Sequence, residues 1–185
     1  MFNNEKSLEY IIGNNFKELL STNSYDKITI KMITEKSNIP RPTFYNYFED
    51  KLDLLRWLLY ENLFFSIIDL IETGMQLEAL KMLFLKIEKD KSFYTNAFKI
   101  EGQDSFENLF KNILNDVLLK SIETNNTDLN YEQPISKEII TSFYSTSLTS
   151  VIKSWLLSSN ETSSKELFNA CEFFLTHSII DLLNL

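Results

Sequence analysis

Arg41, Thr43, Tyr45, Asn46 and Tyr47 crowd the side chains best suited to chemistry into one short stretch. Arginine grips guanine through two hydrogen bonds, asparagine does the same for adenine, and threonine can touch a thymine methyl. The two tyrosines add flat rings with hydroxyls. This is chemistry of recognition, not of bond-making. For bond-making the chain offers one His and one Cys. His177 and Cys171 are six residues apart and share no helix face, so a nucleophile–base pair is not expected. Two such residues cannot build a structural zinc site, and no Gly-rich phosphate loop is present. The sequence therefore predicts no enzyme, no cofactor and no metal. His177 is expected at a surface or an interface.

The stretch from Thr29 to Lys51 must position those side chains. Thr29 is expected to cap a short helix in which Ile30 and Ile33 share one face. Ser37 is small enough for a second helix to approach closely. Asn38 tolerates the left-handed conformation that ends a helix, and Pro40 prevents continuation. Ile39 is expected to pack back toward Ile33. A second helix then runs from about Arg41 to Tyr47, anchored by Phe44 and Phe48, with Pro42 harmless in its first turn. Arg41, Thr43, Tyr45, Asn46 and Tyr47 are left outside the core. A helix pair joined by a tight turn can set its second helix into the major groove of DNA. The same residues would also suit a plain helical hairpin.

The order Thr29, Ile30, Ile33, Ser37, Ile39, Thr43, Phe44, Tyr45, Tyr47, Phe48, Lys51, Leu54, Leu55 resembles the DNA-binding segment of the TetR family of bacterial transcription regulators. Thr43-Phe44-Tyr45 followed by Phe48 and Lys51 is the most specific part. Asn38 stands where that family usually has glycine, Pro40 where a serine cap is common, and Pro42 where glycine is frequent. The resemblance implies that Lys51 touches DNA phosphate at the start of the fourth helix. Lys27 is either a phosphate contact or a solvated surface lysine. The DNA-binding set is then Lys27, Thr29, Arg41, Pro42, Thr43, Tyr45, Asn46, Tyr47 and Lys51.

The formal charge of −8 argues against DNA at first sight. Its location softens the objection. Residues 1–60 hold eight Lys/Arg and eight Asp/Glu, so the remainder carries the whole deficit. An acidic body beside a neutral reading head discourages non-specific attachment to DNA. Only three glycines and three prolines favour helices over a turn-rich β fold. A single cysteine excludes an internal disulfide and fits a reducing cytosol. No signal peptide is expected before Leu8, and no run approaches the ~18 apolar residues of a membrane helix. A cytoplasmic location is expected.

Hydrophobic spacing predicts about nine helices in an all-α fold, a three-helix N-terminal helix-turn-helix domain over 1–50 and a C-terminal helical bundle over 51–185, to which the family resemblance assigns ligand binding and dimerisation. The first helix spans 5–22, with Gly13 a mild cost inside it. A fourth helix over 50–73 is apolar nearly all round and should run inside the bundle, linking head to body. Helices follow at about 76–90, 91–100, 104–124, 136–158 and 163–183, with a polar loop from Asn125 to Gln133. Phe93-Tyr94, Gly102 and Ser105-Phe106 resemble the C-terminal region of the subgroup that includes regulators of dihydroxyacetone kinase operons.

Tyr94, Phe98, Tyr144 and Trp155 are the candidate pocket walls, with core packing as the competing role for each. Ser147 and Val151 in the penultimate helix, with Phe168, Cys171, Leu175, Ser178 and Leu182 in the last, form seams suited to helix packing. The family resemblance implies a four-helix dimer interface there, though a single-chain core would use the same residues. The expected function is a homodimeric DNA-binding transcriptional regulator, a repressor, on a near-palindromic double-stranded operator, with an unidentified small-molecule or protein effector. The alternative is a helical co-regulator working through protein contacts.

Overall fold

A computed structural model describes residues 7–102, 105–124, 136–159 and 161–177, and every regular element among them is helical. The order is α1 (Leu8–Thr22), a single 3-10 turn (Tyr25–Lys27), α2 (Ile30–Lys36), α3 (Arg41–Tyr45), α4 (Lys51–Leu59), a wide π turn (Tyr60–Phe64) and α5 (Phe65–Glu72). Then come α6 (Gln76–Lys89), α7 (Lys91–Ala97), α8 (Phe106–Thr124), α9 (Lys137–Leu157) and α10 (Ser164–Thr176). Residues 51–72 are one helical run whose middle is π rather than α, a departure from the uniform helix expected there. The 3-10 turn after Ser24 was also unforeseen. The expected loop over 125–133 lies outside the described residues. Among the described residues no helix is long and apolar enough to cross a membrane.

One apolar core runs through the described parts of the chain, from Ile12 and Phe16 through Phe44, Leu54 and Leu63 to Phe84, Phe106 and Cys171. Gly13 explains why α1 lies so close to α4. A Cβ built there would sit 2.6 Å from the Trp57 ring and 3.1 Å from Leu58. The helix-propensity cost of this glycine is about 1 kcal/mol, and what it permits is ring packing at the crossing. Trp57 meets Tyr10 and Phe48 edge-on, with centroids 5.1 and 5.6 Å apart.

The head is also held at the far end of α1. Lys17 pairs with Asp90 at 2.6 Å. The Asn96 amide donates to the Leu20 and Ser21 carbonyls at 2.9 and 3.3 Å, satisfying acceptors that the end of a helix leaves open.

The first half of α9 inverts the usual rule. There the buried residues are Thr141, Ser145 and Thr149, each 1–2% exposed, while Phe143 and Ile139 are 65% and 66% exposed; the second half buries Ile152, Trp155 and Leu156 in the ordinary way. The buried hydroxyls are satisfied locally: Thr149 Oγ1 donates to the Ser145 carbonyl at 2.7 Å, Ser145 to Ser142 and Thr141 to Glu138. Small side chains let α8 and α9 pack as closely as they do. α10 begins with a full capping box between Ser163 and Glu166.

Candidate nucleic-acid interface

The reading unit is built as the spacing required. Thr29 caps α2, its Oγ1 accepting from the Met32 N–H at 3.2 Å. Ile33 is fully buried. Asn38 has φ of 53°, and the Ile39 N–H closes the turn onto the Thr34 carbonyl at 3.0 Å. Asn38 therefore does what a glycine would do, at the modest cost asparagine incurs in this region. Ser37 is buried and accepts from Asn15 of α1 at 3.2 Å. Pro40 precedes α3 and offers no side-chain cap, and its carbonyl accepts the Thr43 N–H at 3.0 Å.

α3 is short, Arg41–Tyr45, with Asn46 in helical conformation as its last cap. Its anchors behave as expected: Phe44 is fully buried and Phe48 is 3% exposed, with rings 5.8 Å apart. Burying two phenylalanines stabilises this unit by about 3–6 kcal/mol at most. Arg41, Pro42, Tyr45, Asn46 and Tyr47 are exposed, and Thr43 is half-buried. Arg41 lies along Tyr45: its guanidinium donates to the phenolic oxygen at 3.0 Å and sits 5.7 Å from the ring centroid. The pair presents a donor fork and a ring already ordered together.

Lys27 and Thr29 are exposed at the head's edge. Lys51 is placed differently from a free phosphate-binding lysine. Its ammonium donates to the Ile28 and Tyr25 carbonyls at 2.7 and 3.0 Å and lies 4.2 Å from the Tyr25 ring centroid. Burial pulls its pKa down, with Asp26 and Asp50 opposing. Lys51 thus ties the start of α4 to the loop before α2, and two of its three donors are engaged. Asp50 caps α4 by accepting the Asp53 N–H at 2.8 Å, while Asp53 accepts from the Glu49 N–H at 3.1 Å. The Asp-x-x-Asp spacing signals the Asp50 cap, and the return bond from Asp53 goes to Glu49, one residue before the cap.

The four candidate pocket walls do not converge. Tyr94 and Phe98 sit in an aromatic cluster with Phe106 and Phe110, and burial pushes the Tyr94 phenol far above its usual range. Trp155 packs against Phe84, and its indole N–H donates to the Thr162 carbonyl at 2.7 Å. Trp155 also edges a separate opening with Ser150, Ser154 and Leu167, and Tyr144 lines an almost wholly apolar groove of about 250 Å³ walled by Ile67, Ile71, Leu80, Leu83, Leu114 and Leu118.

Ser147, Val151, Cys171 and Leu175 line one groove of about 210 Å³ between α9 and α10, with Phe143 and Phe174. Phe168 is half-buried against the core. Burial raises the Cys171 pKa, so it acts as a small apolar group rather than a thiolate. Ser178 and Leu182 lie outside the described residues. Phe174, 62% exposed, escaped the sequence reading although it follows Cys171 at helical spacing. His177 is exposed and stacks on Phe173 at 4.1 Å.

Comparison with known proteins adds independent findings. The family model described as "Bacterial regulatory proteins, tetR family" matches residues 17–58, and "Transcriptional regulator C-terminal region" matches residues 74–177. The dhaKLM operon transcriptional activator DhaS of Lactococcus lactis is 34% identical over 124 residues, 63% of this chain. The chain spans 64% of that relative's length. Among solved structures, the dihydroxyacetone kinase operon activator DhaS superposes with a TM-score of 0.67 at 25% identity, covering 91% of this chain and 94% of that one. The fatty acid degradation regulator FadR of Bacillus halodurans gives 0.64 at 17% identity over 96% and 98%, a likeness of fold alone.

Proposed function

Because the chain belongs to the TetR family of bacterial regulatory proteins, we propose that it binds a near-palindromic operator as a homodimer, each protomer laying α3 in a major groove. The observation that carries this reading is the outward row Arg41, Tyr45, Asn46 and Tyr47 on a helix pinned from behind by buried Phe44 and Phe48. Arg41 and Asn46 suit base edges, with Thr43 and Tyr47 beside them and Pro42 stiffening the start. Lys27, the Thr29 edge and the remaining donor of Lys51 suit phosphates.

On this reading residues 1–50 are the DNA-binding domain and 51–185 the effector and dimerisation domain. Two heads would sit ~34–36 Å apart to meet successive grooves. The exposed apolar residues of α9 and α10 support pairing of two protomers there. An effector in the body shifts the equilibrium only through different affinities for two head spacings. The expected sign is repression, while DhaS is named an activator; a reporter fused to the operator reads the sign directly.

The test is fluorescence anisotropy with DNA from upstream of the protein's own gene. Tyr45→Ala and Asn46→Ala should each weaken binding by about 1–3 kcal/mol and leave the melting temperature unchanged. Equal affinity of wild type and both variants for this DNA and for a scrambled duplex would overturn the assignment.

A further inference from the structure

The helical run from Lys51 to Glu72 is shared by head and body, and its inner edge holds a conflict. Leu55, Leu59, Leu63, Ile67 and Ile71 are all buried, at a constant spacing of four. A plain α-helix advances about 100° per residue, so the fifth of these would swing about 160° from the first. The wide turn at Tyr60–Phe64, closed by the Phe65 N–H on the Tyr60 carbonyl, takes up part of that swing. π turns of this sort recur where a helix must be re-aimed for function.

This turn is not left to itself. Lys86 of α6 donates its ammonium to the Asn62 carbonyl at 3.0 Å. Burial, with Lys89 and Lys17 adding, pulls its pKa below the usual lysine range, while Asp90 opposes, so the cation is held where solvation is poor. Its neighbours along α6 make comparable ties. Glu88 accepts from both the N–H and the hydroxyl of Ser164 at the start of α10, at 2.8 and 2.5 Å. Asp90 pairs with Lys17 of α1. A few residues earlier, Leu80 and Leu83 wall the apolar groove. Thus α6 touches the groove, the π turn, α10 and the head in succession.

We propose that Lys86 is a positioning residue for DNA reading: by holding the Asn62 carbonyl it fixes the wide turn, and with it the direction in which α4 aims the head. The consequence for operator binding rests on the function proposed above; the orientation does not. Re-registering the turn by one residue re-aims α4 by about 100° around its axis, so small shifts of α6 are enough to move the head.

The test uses the full chain in a Cys171→Ser background, with spin labels at Glu49→Cys in the head and Asn112→Cys on α8, both exposed positions. Labelled protein is diluted with unlabelled protein so that distances are read within one chain. Lys86→Met removes the donor and keeps the stem, and Lys86→Arg keeps a donor. The expected result is a changed mean distance in the Met variant only, since a one-residue re-registration turns the head by about 100° around the α4 axis. Operator affinity should fall about tenfold with it, equivalent to one tenfold step in the binding constant. Lys86→Leu, also without a donor, repeats the measurement if the Met variant folds poorly. Unchanged distances in Met and Leu, or equal shifts in Met and Arg, overturn the inference. A shifted distance with unaltered operator affinity supports the clamp and counts against the operator reading instead.

Discussion

α3 and α9 bury opposite kinds of face. α3 turns phenylalanine inward and leaves arginine, tyrosine and asparagine outside. α9 turns threonine and serine inward over its first half, before Ile152, Trp155 and Leu156 take over, and leaves Phe143, Val151 and Ile139 outside. Both are stable in their places, because in each case the buried face is satisfied. On α3 the aromatic burial does it; on α9 small size and local hydroxyl bonds do it. The outward faces therefore answer different partners. Polar groups on a rigid stub suit base edges and phosphates, which offer hydrogen bonds. An apolar outward face suits another apolar surface, since its exposure to water is unfavourable.

The largest expected effect comes from attacking the buried side of α3. Phe44→Ala should cost about 3–5 kcal/mol, unfold the head in thermal melts and abolish operator binding. Retained head stability would mean the anchors do not hold α3 out. The outward side of α9 comes next. Phe174→Glu, with or without Phe143→Glu, should leave each protomer folded by circular dichroism while sedimentation shifts to monomer. A charge buried in a paired face is disfavoured by several kcal/mol, so persistence of the dimer would place pairing elsewhere. The smallest effects test the inward face of α9. Thr149→Val, replacing a locally bonded hydroxyl by a methyl, should change stability by less than about 1 kcal/mol. Thr149→Leu should cost about 1–3 kcal/mol through overpacking against α8. If Leu is tolerated as well as Val, close approach is not why this face is made of small residues.

The reading unit was legible because its determinants are local. A cap, a left-handed asparagine, a proline and two phenylalanines four apart act within a few residues of one another. The body was legible only in outline. The apolar positions of α9 could be listed, but their spacing does not say which face looks inward, and here the small hydroxyl face does. The π turn was hidden because a fourfold spacing of apolar residues differs from helical spacing by only about 40° per step, a drift that becomes decisive over five buried positions. Of the four aromatic candidates for pocket walls, Tyr94, Phe98 and Trp155 are buried, at 2%, 2% and 4% exposure. Size and apolarity favour burial before they favour a ligand.

Composition and short-range pattern determined that the described residues are helical in every regular element, that residues 29–51 form a capped helix pair, and that Arg41, Tyr45, Asn46 and Tyr47 face outward. These follow from backbone geometry and burial, which act over one or two turns. Tertiary structure alone decided that Lys51 turns back onto the Tyr25 and Ile28 carbonyls, that Lys86 reaches the Asn62 carbonyl, and that the groove forms beside α6 rather than around Tyr94. Those pairings join residues more than twenty positions apart. A flexible side chain finds such a partner only after packing has set the helices, so no local spacing encodes it.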